Sequence, residues 1–261
     1  MKILSLLTLA GIASSGICHG AAYSTNFNSG YDNTLGVGGQ NGWVIDDSTA
    51  DLSFFVDYNT TQAAALGGFY NAPANPSVRL SHGVGLPLTS SSFAVDFAMI
   101  SSTLTYPDQD AFGWSFQNGG GTNLLTIQFE PDSLDPTRMN VMWSTGAGSP
   151  TSSTWAILYD GPYSLNIQFS DAGGLDASFN ATLTGSNVSS FSGTLPGFAG
   201  QTLASVGAEF TQLNAAAGDN YMIFDNLSVV PEPSSIATFL AMITIPLMKR
   251  RRAQTLSNDH R

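Results

Sequence analysis

Two aspartates, Asp108 and Asp110, stand one residue apart, so on a strand they would share a face. Carboxylate oxygens at that spacing suit a calcium ion whose shell is completed by backbone carbonyls. Pro107 precedes the pair and Phe112 follows it, which predicts a loop: either a structural calcium site or a solvated acidic turn. No other cofactor is implied. Zinc needs three or four His, Cys or carboxylate ligands, and residues 23–230 hold one histidine, His82, and no cysteine. His82 lies in Ser81-His82-Gly83-Val84-Gly85 with no serine elbow near it, and reads as a polar turn residue rather than a catalytic base. A glycosidase needs two carboxylates about 5–9 Å apart. Glu130 and Glu209, the glutamates of this stretch, are far apart in sequence, and no catalytic residue is assigned. Gly36-Val37-Gly38-Gly39 has no Lys-Ser/Thr after it and is not a phosphate loop. Sugar binding asks for exposed aromatic rings beside amides and carboxylates. Trp43 and Trp155 flank loops and are the candidates, whereas Trp114 and Trp143 fall in phase with bulky neighbours and read as core.

A different chemistry is written at the C-terminal end. Pro231-Glu232-Pro233 is followed by an apolar run over residues 234–248 and then by Lys249-Arg250-Arg251-Arg252. Fifteen helical residues rise about 22 Å, short of a hydrocarbon core of about 30 Å. The basic cluster would stop transfer and stay on the cytoplasmic side, leaving 253–261 as a cytoplasmic tail. The two prolines hold Glu232 in extended chain outside the membrane. At the other end, Lys2 precedes an apolar stretch from Ile3 to Ile17, and small residues follow at Gly20, Ala21 and Ala22. That order predicts a signal peptide over 1–22, read by the secretion translocon and cleaved after Gly20 or Ala22. Ile17 ahead of Cys18 breaks the small-residue pattern of a lipidation site.

The elements that must position any site lie between, in residues 23–230. Period-two alternation predicts strands. Phe93, Val95, Phe97 and Met99 form one face, as do Phe112, Trp114 and Phe116. Tyr163, Leu165, Ile167 and Phe169 form another, then Leu175, Ala177, Phe179, Ala181 and Leu183, and finally Tyr221, Ile223, Asp225, Leu227 and Val229. The Asp171–Gly174 stretch reads as a hairpin loop. Residues 60–66 hold at most one or two helical turns. About twelve strands exceed an immunoglobulin sandwich and suit a jelly roll of two antiparallel sheets. Arg79 and Arg138 are the only bases in 23–230, against seventeen acids, so this body carries about −15. Such a surface repels nucleic acid and anionic lipid.

The order Pro-Glu-Pro, short apolar helix and Arg-rich end resembles the PEP-CTERM sorting signal, over about residues 230–252. The resemblance implies an exosortase-type processing enzyme as partner, transient anchoring in the inner membrane, and delivery to the outer surface or extracellular matrix of a Gram-negative-type bacterium. Asn26-Phe27, Gln40-Asn41-Gly42-Trp43, Phe112-Gly113-Trp114-Ser115-Phe116 and the closing run 220–229 look like concanavalin-A-like lectin/glucanase domains. That second resemblance implies an all-β sandwich and extracellular polysaccharide as a ligand. Together they lead to the expectation of an exported, non-catalytic surface or matrix protein, with a carbohydrate-binding module as the alternative and a glycoside hydrolase behind it.

Overall fold

In a computed structural model of the chain, the described residues are 22–46, 52–68, 77–101, 109–146, 148, 150–186, 188–213 and 220–231. The expected signal peptide up to Ala21, Asp108, Glu232, Pro233, the apolar helix, the basic cluster and the tail 253–261 lie outside them. Fifteen strands are formed among the described residues. They are β1 (Tyr23–Thr25), β2 (Trp43–Asp46), β3 (Ser53–Tyr58), β4 (Thr61–Gly68), β5 (Ser77–Pro87), β6 (Ser91–Ser101), β7 (Ala111–Gln117) and β8 (Asn123–Pro131). Then follow β9 (Arg138–Thr145), β10 (Thr151–Leu158), β11 (Tyr163–Gly173), β12 (Asp176–Thr184), β13 (Ser189–Leu195), β14 (Thr202–Thr211) and β15 (Asn220–Pro231).

The strands make two antiparallel sheets. One has eight strands in the order β13-β12-β11-β6-β15-β4-β3, with β1 also paired to β15; the other has seven, in the order β10-β9-β8-β7-β14-β5-β2. Sequence neighbours that pair, such as β7-β8-β9-β10 and β11-β12-β13, mix with long returns: β6 lies between β11 and β15, and β14 between β7 and β5. This is the jelly-roll sandwich that the alternation predicts. No helix among the described residues is long and apolar enough to cross a membrane.

The alternating faces meet in one core. Phe93 lies 5.3 Å from Trp114 and Phe97 5.1 Å from Phe129, ring centre to ring centre, each pair bridging the two sheets. Each such side chain contributes roughly 1.5–3 kcal/mol when fully buried. The expected hairpin forms, but its turn is Gly174–Leu175, with Asp171–Gly173 still in β11. Gly173 and Gly174 adopt positive φ, and the Asp171 carboxylate accepts the Gly173 N–H at 2.7 Å.

Four details differ from the sequence reading. Residues 60–66 are not helical: Tyr58 pairs with Thr61 across a two-residue turn, and the Ala63-Ala64-Ala65-Leu66 run forms β4. Pairing to β3 and β15 outweighs alanine's helical preference there. Leu175 is not on the buried face of β12 but sits in the hairpin turn, 79% exposed. His82 stands within β5 rather than in a turn, stacked on Tyr23 at 3.6 Å. Finally, β15 does not keep one phase. Met222 and Phe224 point into the main core before Asn226, and Leu227 and Val229 after it, while Ile223 joins a small separate cluster with Ala63 and Ala65.

Candidate functional site

The change of phase in β15 is a β-bulge between Asp225 and Ser228. Asn226 takes φ 49°, a left-handed conformation that asparagine tolerates better than most residues. The Asp225 carboxylate accepts the Asn226 N–H at 2.8 Å and fixes the kink. On one side β15 follows β6 along its length. On the other it pairs first with β4, through Asn220–Phe224, and then with β1, through Leu227–Val229. The bulge falls where one partner stops and the other begins, and a cavity of about 380 Å³ opens there on the face turned away from the core.

Two carboxylates look into this cleft. Asp225 is the cross-strand partner of Asp96 on β6, and Asp96 is in turn opposite Ser164 on β11. Directly opposed side chains place their Cβ atoms about 5 Å apart. Asp96 accepts hydrogen bonds from the Ser164 hydroxyl and, at 2.9 Å, from the Asn226 amide. Burial raises the Asp225 carboxyl above its ordinary value; the Asn226 N–H opposes this and the charge of Asp96 reinforces it. Tyr58, Asn59 and Thr61 form one wall, from the β3–β4 turn, and Thr184 lies on the other. Asn59 and Thr60 both have positive φ, so this turn, like the bulge at Asn226, takes left-handed backbone beside the cleft. Tyr163, stacked on Phe97 at 5.8 Å, is also among its lining residues.

The polar face continues beyond the cleft. A second depression of about 360 Å³ is lined by Ser92, Asn166, Gln168, Asn180 and Thr182 on β6, β11 and β12. A third, of about 390 Å³, joins Asn226 to Ser24, Asn26 and Ser228. Carboxylate, amide and hydroxyl groups thus run across five neighbouring strands, a surface able to exchange many hydrogen bonds with a polyhydroxylated ligand.

The residues picked from sequence fall elsewhere. Trp43 is buried, 1% exposed, between Phe27 and Phe224, and its indole donates to the Tyr23 hydroxyl at 3.0 Å. It is core, because as the first residue of β2 it takes the inward phase, and it offers no sugar platform. Trp155 stands in β10, its side chain outside the described residues. Trp114 is core as expected, and Trp143 packs edge-on against Phe179 at 5.2 Å. Asp110 is buried, accepting from the Leu213 N–H at 3.0 Å and the Asn220 amide at 3.2 Å. Among the described residues no group of three His, Cys, Asp or Glu could hold a metal ion. Glu130 and Glu209 share the outer face of the seven-stranded sheet, but β7 lies between their strands and they are offset by two residues, about 12 Å in all. Pro231, the first residue of the Pro-Glu-Pro motif, is the last residue of β15 and pairs with Ser91.

On the outer face of that second sheet, Arg79 is 5% exposed. It donates to Asp46 at 2.6 Å, to Ser115 at 2.7 Å and to Ser205 at 3.1 Å, with Glu209 at 3.9 Å. The absent side chain of Gly207 leaves the space in which the guanidinium lies, since a Cβ there would meet it at 2.6 Å.

No family model matches the chain, and no curated protein does either. Solved structures do resemble it. The CBM2 module of the evolved Dit of Lactobacillus casei BL23 phage J-1 aligns with a TM-score of 0.54 at 13% identity, covering 83% of this chain and 99% of that one. The marine PL-14 alginate lyase from Aplysia kurodai gives 0.54 at 8% identity, over 82% and 99%. Winged bean acidic lectin, complexed with methyl-α-D-galactose, gives 0.52 at 11% identity, over 80% and 98%. At these identities the likeness shows a shared jelly-roll fold.

Proposed function

We propose that the protein is an exported, non-catalytic surface or matrix protein that binds carbohydrate in the cleft around Asp96, Asp225 and Asn226. The observation that carries the binding role is the opposed carboxylate pair at the bulge, set in a continuous amide- and hydroxyl-lined face. The solved structures that share the fold include a CBM2 module and a lectin holding a galactoside, which supports the same reading. Export rests on the residue pattern of 1–22. Sorting by an exosortase-type enzyme rests on Pro231-Glu232-Pro233, the apolar run and Lys249–Arg252. Pro231, the first residue of that motif, is also the last residue of β15, which joins the motif directly to the sandwich.

The binding role is tested by a polysaccharide pull-down with the full chain, with calcium present. Retention that is lost in Asp96→Ala supports the cleft, and absence of retention on every polymer removes the binding role. Mass spectrometry of the mature protein from its native host tests the sorting role. The expected masses lack residues 1–20 or 1–22 and everything beyond the motif; an intact C-terminus would remove it.

A second reading, glycoside hydrolysis, is favoured by one observation. Asp96 and Asp225 are opposed at about the spacing of a carboxylate pair, and burial raises the proton affinity of Asp225. Reducing-sugar release that disappears in Asp225→Asn would place this reading ahead of binding alone.

A further inference from the structure

We infer that the cleft selects uncharged glycans and turns away uronate- and sulfate-bearing ones, an inference that rests on the carbohydrate-binding reading above. Every ionisable group at the cleft that carries charge near neutrality is an acid: Asp96 and Asp225. The two depressions that continue it add only serine, threonine, asparagine, glutamine and apolar residues. A polyuronate needs cations to balance its carboxylates. Among the described residues the cations are Arg79 and Arg138. Arg79 lies on the opposite sheet, held by Asp46, Ser115 and Ser205. Arg138 is paired with Asp135 at 2.9 Å, also away from the cleft. A uronate ring seated between Asp96 and Asp225 would bring a third negative charge into a half-buried site already strained by two. The body around it carries seventeen acids and two bases.

Uncharged sugars meet the opposite situation. Ring hydroxyls donate to the carboxylates, which accept strongly when ionised. The amides of Asn226 and Asn166 and the hydroxyl of Thr184 can both donate and accept, and Ser164, whose hydrogen goes to Asp96, can accept. The fold shared with an alginate lyase therefore does not bring that polymer with it: the same jelly roll here presents an anionic face.

The test is a glycan array carrying neutral, uronate-bearing and sulfated polysaccharides, probed with the full chain at low ionic strength, where repulsion reaches about 30 Å. Neutral glycans are expected to bind, with acidic ones at least about tenfold weaker, a difference of about 1.4 kcal/mol. The gap is expected to narrow at about 0.5 M salt, and in the Asp96→Asn/Asp225→Asn double variant at low salt, with folding checked by circular dichroism. Acidic glycans bound as tightly as neutral ones would overturn the selectivity while leaving carbohydrate binding in place. A gap that the double variant leaves unchanged would also overturn it. Binding to neither class would overturn the binding role itself.

Discussion

The two outer faces of the sandwich handle charge in opposite ways. On the seven-stranded sheet, Arg79 is almost fully buried and meets Asp46, Ser115, Ser205 and Glu209, so that one cation ties β2, β5, β7 and β14 together. On the eight-stranded sheet, Asp96 and Asp225 stand opposed in an open cleft, where among the described residues hydroxyl and amide donors, and no cation, meet them. A charge cluster built around its own buried cation is cross-strand glue. A charge cluster left anionic and open to solvent keeps lone pairs for a ligand. The two faces teach that compensation, rather than the mere presence of charge, separates structure from site here.

The largest effect should come from breaking the first face. Arg79→Ala leaves Asp46 without its cation in a partly buried position, and is expected to cost about 3 kcal/mol, the low end for a buried pair because Asp46 is about one third exposed. Chemical denaturation measures it. Glycan binding by the fraction that still folds should be unchanged, and a loss there would erase the distinction between the faces.

Asp96→Ala should show the reverse: stability within about 1 kcal/mol of the parent, but glycan affinity down about ten- to a hundredfold, the worth of hydrogen bonds to a charged acceptor. Isothermal titration with a bound neutral glycan checks it.

Asp225 gives a smaller, pH-dependent effect. Its folded value lies above that of the unfolded chain, so the folded state holds the proton more tightly. Its ionised form therefore weakens the fold above the folded value, and this weakening fades as pH falls to the ordinary carboxylate value. Asp225→Asn should melt slightly higher than the parent at pH 7 and no higher near pH 3. An advantage that stayed constant with pH would show that charge at the cleft is not its cause.

The smallest effect is expected at the strained turn. Thr60 is β-branched with φ 71°, and Thr60→Gly should stabilise by up to about 1 kcal/mol. If relieving that strain also weakens glycan binding, the turn is a preorganised wall of the cleft and not merely a tight connection.

Much of the fold was legible because β6, β7, β11 and β12 keep strict alternation and their turns are marked by Gly, Asp and Asn. The cleft was not, for two physical reasons. Asn226 and Asp96 are 130 residues apart and meet only through sheet register, which no local pattern encodes. The bulge at Asn226 also interrupts the phase of β15, so alternation counted through it joins two different faces. A usable signal existed in Asp225-Asn226 itself: an Asx pair inside a strand is an uncommon choice unless the backbone turns left-handed there. Trp43 was misplaced for a related reason. A tryptophan beside a loop looks exposed, but its phase relative to Ile45 carries it inward.

The place of β15 in its sheet has a consequence for how the molecule comes to exist. It is the last strand among the described residues, yet it lies inside its sheet, between β6 on one side and β4 and β1 on the other. A chain made from its N-terminus must therefore hold the facing edges of β6 and β4 open until its final strand arrives. Pairings of such long sequence separation form slowly, and edges waiting without a partner invite association with other chains. The same twelve residues that shape the cleft thus decide when the sandwich can close, and a chain cut short before Asn220 should collect as aggregate rather than as a smaller sandwich.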